Sequence, residues 1–409
     1  MHILTELKEG LAIAFRAIRA NKLRSVLTTL GIVIGIVSVT LMATGIEGID
    51  RAFNKSAAAF GTDVMYVEKW PWISMDDWAT MRNRPDMKIQ YAAAIERQVP
   101  LIDAVAPVMT SFSRRRVSYG DRSTENVLIT GTTSDYVQAS GNSELEGRFF
   151  SPEESSGGRP VCVLGATIAE NLFVRGDPIG KTIRVAGRPY TVLGVFEKQG
   201  GMFGEFTSDT RIYIPISAFQ NQFGMHQYLT INVRVIDRSK AEDAKLEIEG
   251  VMRKARNLAP GKPNDFSINQ QEILTEFFSK QTLIIAIIGM FITSLSLFVG
   301  GIGIMNIMFV SVTERTKEIG IRKAIGAKRR AILMQFLLES ASLCLIGGLI
   351  GLLVAFPLSL IVDQVLPTSM PMSIVGIAIL ISLVVGIISG FLPAYRAAKM
   401  DPVEALRYE

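Results

Sequence analysis

The sequence predicts a membrane α-helical protein, with four transmembrane helices and an α+β domain of two subdomains between the first and second. Three observations carry this. Four stretches are apolar over a length that crosses a bilayer, at 25–46, 283–312, 331–362 and 373–395. Residues 47–282 instead carry β-branched runs bounded by turn residues, together with helical patterns. Lys and Arg crowd one set of connections and are missing from another.

Within residues 1–24, Leu4, Leu7, Leu11, Phe15 and Ile18 recur at helical spacing, which predicts an amphipathic helix lying in the cytosolic interface. The apolar run that follows has 22 residues. A signal-peptide core has about 7–15, so an uncleaved anchor is expected. Residues 47–60 continue the first span as a helix until Gly61, and residues 266–282 lead into the second in the same way, so helical stalks flank the domain. Between them, TDVMYVEKW, NVLITGTT, RPVCVLG, KTIRVAG, RPYTVLGVFE, RIYIPIS and YLTINVRVID read as strands. Residues 76–98 and 239–257 read as helices. This order suggests a discontinuous subdomain (61–140 plus 225–270) and an inserted one (141–224). The second and third spans exceed the roughly 20 residues a bilayer needs, which implies tilt or projection beyond it. Pro393 is expected to stop the fourth. Asp401, Pro402 and Glu404 then fit N-cap, N1 and N3 of a short helix in the tail 396–409.

Orientation follows from basic residues. Five lie in 1–24, seven in 313–330 and three after Tyr395, while the short connection 363–372 has none. Both termini are therefore expected inside, with residues 47–282 outside in the periplasm or extracellular space. The domain holds 28 basic against 29 acidic residues (47–280), so the net charge of +5 is topological and nucleic acid is not an expected partner. Membrane lipid is.

Several chemistries find no support. No G-x-x-x-x-G-K-[ST] occurs; Gly176 to Thr182 ends in Gly-Lys-Thr at the wrong spacing and precedes a strand, so it reads as a turn. The two histidines, His2 and His226, and the two cysteines, Cys162 and Cys344, make no metal cluster, and no metal site or catalytic residue is expected. Cys162, inside VCVLG, reads as a small buried hydrophobe. Asp76-Asp77 and Glu153-Glu154 suit helix starts or turns. The spans contain little from which to build a polar channel; Glu339 is the exception, near the inner end of a long segment.

Small residues do stand out in the spans. Gly31 with Gly35, Gly347 with Gly351 and Gly386 with Gly390 each make G-x-x-x-G, and Gly300, Gly301 and Gly303 cluster in the second. Such residues let helices approach closely where lipid supplies no hydrophobic drive. Helix packing is the plain reading, and a dimer contact the sharper one for the first two spans. Asn306 is expected to hydrogen-bond across helices or to backbone.

The connection TERTKEIGIRKAIGAKRR (313–330) is dense in charge yet threaded by Ile319, Ile321 and Ile325. A loop that only returns the chain to the membrane needs neither. Together with NKLRSVLTTLGIVIGI (21–36), GRFFS (147–151), DPIGKTIRVAG (177–187), YTVLGV (190–195), GGIGIMNIMFVSVTERTKEIGIRKAIGA (300–327) and the closing PAYRAAKMDPVEALRYE, it resembles the permease part of MacB-type ABC transporters in the MacB/FtsX superfamily.

The resemblance implies a homodimer of four-span permeases, each with a periplasmic domain of a discontinuous porter-like part and an inserted sabre-like part. It implies a cytosolic ABC ATPase that touches the 313–330 loop at Glu314, Arg315, Thr316, Lys317, Glu318, Ile319, Gly320, Ile321, Arg322 and Lys323. MacB carries its ATPase in the same chain; here a separate subunit is expected to bind ATP and Mg, leaving this chain non-catalytic and without a cofactor. The implied action is mechanotransmission, serving efflux of a periplasmic substrate through an adaptor and an outer-membrane duct. The alternatives are an FtsX-like signalling permease regulating a cell-wall hydrolase, and a lipoprotein-extracting permease.

Overall fold

A computed structural model describes residues 22–58, 60–74, 81–141, 145–174, 176–199, 208–364, 368 and 370–407. The expected interface helix over 1–24 lies outside them apart from its last three residues, as do Asp76 and Asp77. The chain forms two compact units, Met1–Arg51 with Lys280–Glu409, and Ala52–Ser279.

The first unit is helical: α1 (Lys22–Ala58), α2 (Gln271–Glu314), α3 (Thr316–Ala324), α4 (Arg329–Asp363), α5 (Met372–Lys399) and α6 (Pro402–Arg407). Four of these, α1, α2, α4 and α5, are long and apolar enough to cross a membrane. At 44 residues, α2 extends about 66 Å at 1.5 Å per residue, against a hydrocarbon core of about 30 Å. Pro393 does not stop α5, as the sequence suggested, but lies inside it. A proline in a helix forfeits one hydrogen bond to the preceding turn. Here Ala394, Ala397 and Ala398 are buried just beyond it, and that packing carries the helix on to Lys399.

Close approach of small residues holds the spans together. A Cβ on Gly31 would meet Gly300 Cα at 3.1 Å, one on Gly35 would meet Leu297 Cδ2 at 2.8 Å, and one on Gly386 would meet Ala341 Cα at 2.8 Å. Between these contacts Ile32, Ile36, Leu297, Ile304, Phe336 and Cys344 form one buried cluster.

The second unit is an α/β domain with, among the described residues, ten strands: β1 (Val64–Glu68), β2 (Ile102–Tyr119), β3 (Arg122–Thr132), β4 (Leu145–Gly147), β5 (Val161–Leu164), β6 (Thr182–Val185), β7 (Arg188–Phe196), β8 (Arg211–Pro215), β9 (Tyr228–Val235) and β10 (Ser267–Gln270). They hydrogen-bond in the order β10-β1-β9-β2-β3-β8-β5-β7-β4, with β6 joining β2 to β7. Strands from 61–140 and 225–270 occupy one end of that order and strands from 141–224 the other. The pairings β2–β3, β3–β8, β8–β5, β5–β7, β7–β6 and β6–β2 close into a ring, which makes that part a small barrel. Its interior is filled by Val117, Ile129, Cys162, Leu164, Ile183, Val185, Val192, Ile212 and Ile214, members of one buried cluster. Cys162 is thus a buried free thiol, and burial raises its pKa.

Two helix expectations in this unit change. Residues 267–270 are a strand rather than the start of the stalk helix, because the backbone groups along β1 need a partner on that side and β10 supplies it antiparallel. Over 76–98 the described residues are helical at 81–82 and over Gln90–Gln98, with a break between them. Pro85 disfavours helical geometry in the residue before it and cannot donate to a preceding turn. Residues 239–257 form a helix over Ala241–Ala255.

The GRFFS motif (147–151) is a local knot. Gly147 sits at φ 86°, where a Cβ would strike Leu193 O at 2.5 Å. Arg148 donates to both carboxylate oxygens of Glu154 at 2.8 and 2.9 Å. Ser151 caps the helix Pro152–Ser156 in a reciprocal box with Glu154. These bonds hold the Glu154 carboxyl down at about 2, the Arg148 guanidinium being the main cause.

Candidate functional site

The connection between α2 and α4 is folded. The helix of the second span ends at Glu314, turns at Arg315 and resumes as α3. The Thr316 hydroxyl donates to Thr313 O at 2.8 Å and Val312 O at 3.1 Å, which secures the turn. Gly326, at φ 103°, then reverses the chain into α4, where a β-carbon would be strained.

The ten residues expected to contact an ATPase fall into two groups. Thr316, Ile319 and Gly320 are buried within this chain. Ile319 joins the core that contains Ile332 and Phe336. Arg315 Nη1 lies 3.2 Å from Glu339 Oε2, and Arg322 Nη1 donates to Gln335 Oε1 at 2.8 Å, so both reach α4. Lys323 donates to Met400 O, which ties α3 to the segment before α6. Burial, and then Arg329, lower the Lys323 pKa, against a smaller pull from Asp401. Arg315, Thr316, Ile319, Gly320 and Lys323 therefore seat α3 on its own chain. The outer face is left to Glu314, Lys317, Glu318, Ile321 and the exposed part of Arg322, which pairs with Glu318. Ile325, outside the expected set, is 82% exposed, and Ile321 is 46% exposed.

Around this element α6 is formed as its cap predicts: Val403 N donates to Asp401 Oδ1 at 2.8 Å and Ala405 N to Asp401 O at 2.9 Å. Arg396 stacks over the Phe309 ring at 5.1 Å, joining α5 to α2.

Of the small and polar residues singled out in the spans, Gly31, Gly35, Gly300 and Gly301 pack within one chain; a Cβ on Gly301 would lie 2.6 Å from Ser389 Oγ. Gly303 is half-buried. Asn306 is exposed and makes no side-chain hydrogen bond among the described residues, contrary to expectation. The reason is its place on α2: with Leu295, Val299 and Ile302 it forms a stripe at helical spacing that none of the other spans covers. Reading the sequence missed Gln335 and the carbonyl of Met400. The signal available for Gln335 was its i, i+4 spacing from Glu339.

A MacB-like periplasmic core domain model matches residues 25–251, and an FtsX-like permease C-terminal model matches residues 290–402. The ABC transporter permease YknZ of Bacillus subtilis is 31% identical over 98% of this chain and 100% of its own length. The chain belongs to the MacB/FtsX family of ABC transporter permeases. Within that family, the macrolide export ATP-binding/permease protein MacB of Bdellovibrio bacteriovorus is 33% identical over 99% of this chain, which spans 62% of that protein's length. The crystal structure of the periplasmic region of MacB from Actinobacillus actinomycetemcomitans matches 54% of this chain and 94% of its own, at 20% identity and a TM-score of 0.44. The second of the two family models contains the whole of α3.

Proposed function

We propose that this chain is the membrane subunit of a MacB-like transporter, driven by a separate cytosolic ABC ATPase that docks on α3. The observation that carries the reading is the outer face of α3. Ile321 and Ile325 stand exposed among Glu314, Lys317 and Glu318, on a helix fixed from behind by Arg315, Ile319, Arg322 and Lys323. An apolar centre inside a charged rim is how protein interfaces are built. The partner binds ATP and Mg. Its closure moves α3, and α2, which runs unbroken from Gln271 to Glu314, is the covalent route from there towards residues 52–279. The asymmetry of Lys and Arg supports termini in the cytosol and that domain in the periplasm, across the inner membrane.

Two copies work together. The uncovered stripe of Leu295, Val299, Ile302 and Asn306 on α2 is where a second copy fits, since a lone amide facing hydrocarbon is costly and a partner helix can satisfy it. The work done is efflux of a periplasmic substrate through an adaptor and an outer duct, in keeping with relatives named for macrolide export.

The test reverses the rim and removes the apolar centre together, as Glu314→Lys, Lys317→Glu and Ile325→Asp, in the full-length chain reconstituted in lipid with the ATPase subunit that assembles with it. ATP hydrolysis stimulated by the permease is expected to be lost while the permease stays folded. Undiminished stimulation removes α3 as the coupling element.

A further inference from the structure

The helical path from the second span into α3 is interrupted once, at Arg315, with φ −103° and ψ 14°. Backbone bonds cross the break, from Arg315 N to Ser311 O at 3.1 Å and from Ile319 N to Arg315 O at 3.0 Å. These bonds restrain the turn but leave its angle to two soft torsions, which set the direction of everything after them. The Arg315 side chain adds the missing restraint. Its Nη1 bridges Glu339 at 3.2 and 3.4 Å, and the Glu339 side chain is 4% exposed against 29% for Arg315.

A buried carboxylate is expensive unless a cation meets it. Among the described residues Arg315 is the cation that pairs with Glu339. Glu318, the nearest other carboxylate on α3, is engaged by Arg322. Arg322 in turn reaches Gln335, one helical turn before Glu339 on α4. Arg315, Ile319 and Arg322 thus form a stripe along one side of α3, and Gln335 and Glu339 receive its two ends.

The geometry points to Glu339 as a positioning residue. Through Arg315 it fixes the angle at which α3 leaves the second span, so that α3 and the third span move as one body when a partner presses on Ile321 and Ile325. This rests on the reading of α3 as the ATPase contact. It goes further by assigning the direction of force: a push on α3 is delivered to α4 through a charge pair as well as along the chain to α2.

The experiment uses the full-length chain in lipid nanodiscs, with spin labels at two exposed positions, Ile325→Cys at the C-cap of α3 and Leu349→Cys on α4, diluted with unlabelled chain. Cys162 and Cys344 are buried and need no removal. A single narrow distance is expected in the parent and a broadened one in Glu339→Gln, which keeps the side-chain volume. The exchanged pair Arg315→Glu with Glu339→Arg is expected to narrow it again, a recovery that a loss of packing would not give. In parallel, in chains that carry no label substitutions, stimulation of the assembled ATPase is expected to fall about fivefold or more in Glu339→Gln, the lower end of coupling between sites, while the ATPase stays bound. A narrow distance in Glu339→Gln overturns the proposal, as does broadening with undiminished stimulation. If the parent itself stimulates no ATPase, the coupling reading fails and the distance result still decides the role of Glu339.

Discussion

Gly31 and Gly300 face each other across the first and second spans so closely that a Cβ built on Gly31 would lie 3.1 Å from Gly300 Cα and one built on Gly300 would lie 3.2 Å from the Gly31 carbonyl carbon. Backbone cannot retreat as a flexible side chain can. Gly300→Leu is expected to cost about 1–3 kcal/mol or more by overpacking, read as a lower unfolding midpoint in detergent. Gly376, also helical but with nothing within 4 Å of its Cβ position, provides the control. Gly376→Ala should lose no stability.

α3 with its C-cap carries two kinds of isoleucine. Ile319 is buried and Ile325 is 82% exposed. Ile319→Asp is expected to destabilise the chain by about 3 kcal/mol or more, since it places an unpaired carboxylate in the core. Ile325→Asp should leave the melting curve within about 0.5 kcal/mol of the parent and abolish ATPase stimulation. Equal effects on both measurements would refute the division of α3 into seated and outward faces.

The Arg148–Glu154 pair makes the domain sensitive to acid. Because the Glu154 carboxyl is held at about 2 in the folded chain, below its ordinary value of 4.5, its contribution is complete above 4.5 and lost as pH falls towards about 2. Glu154→Gln should flatten that part of the stability profile. Ser151→Ala should cost about 1 kcal/mol at every pH, through the lost cap. Chemical unfolding across pH 2–6 separates the two.

Glu68 acts in the opposite sense. It is buried on β1 and accepts hydrogen bonds from Tyr228, from Thr230 at 3.3 Å and from Asn269 Nδ2 at 2.7 Å, and among the described residues no Lys or Arg is ion-paired with it. Burial raises its pKa above the ordinary carboxylate value despite those bonds. The folded state therefore holds the proton more tightly than the unfolded chain; this contribution is full below the ordinary pKa and fades as pH rises through the folded one. Glu68→Gln removes the titration and is expected to raise the midpoint at neutral pH by about 2–4 °C for each kcal/mol regained. A midpoint that falls at pH 7 and recovers at pH 4 would contradict this.

The long spans and the Asp401-Pro402 cap were legible in the sequence because each rests on local chemistry: apolar length in one case, a side chain bonding its own backbone in the other. β2 was not, although it is the longest strand. Pro107 and the run Arg114-Arg115-Arg116 mask its alternation, and its order comes from distant partners in β3, β6 and β9. The 313–330 connection was visible as unusual, but charge and apolarity alone do not say which way each side chain turns. Arg315 turns inward because Glu339, 24 positions later, waits on α4. Asn306 was expected to find a partner because a buried amide must; it lies instead on an exposed face of α2.

The ring closed by β6 has a consequence for how the domain meets other proteins. Among the described residues the strands at the two ends of the order, β10 of four residues and β4 of three, are paired on one side only. Strand addition needs a longer rim than either offers. At these two ends crowded neighbours find little edge onto which to zipper.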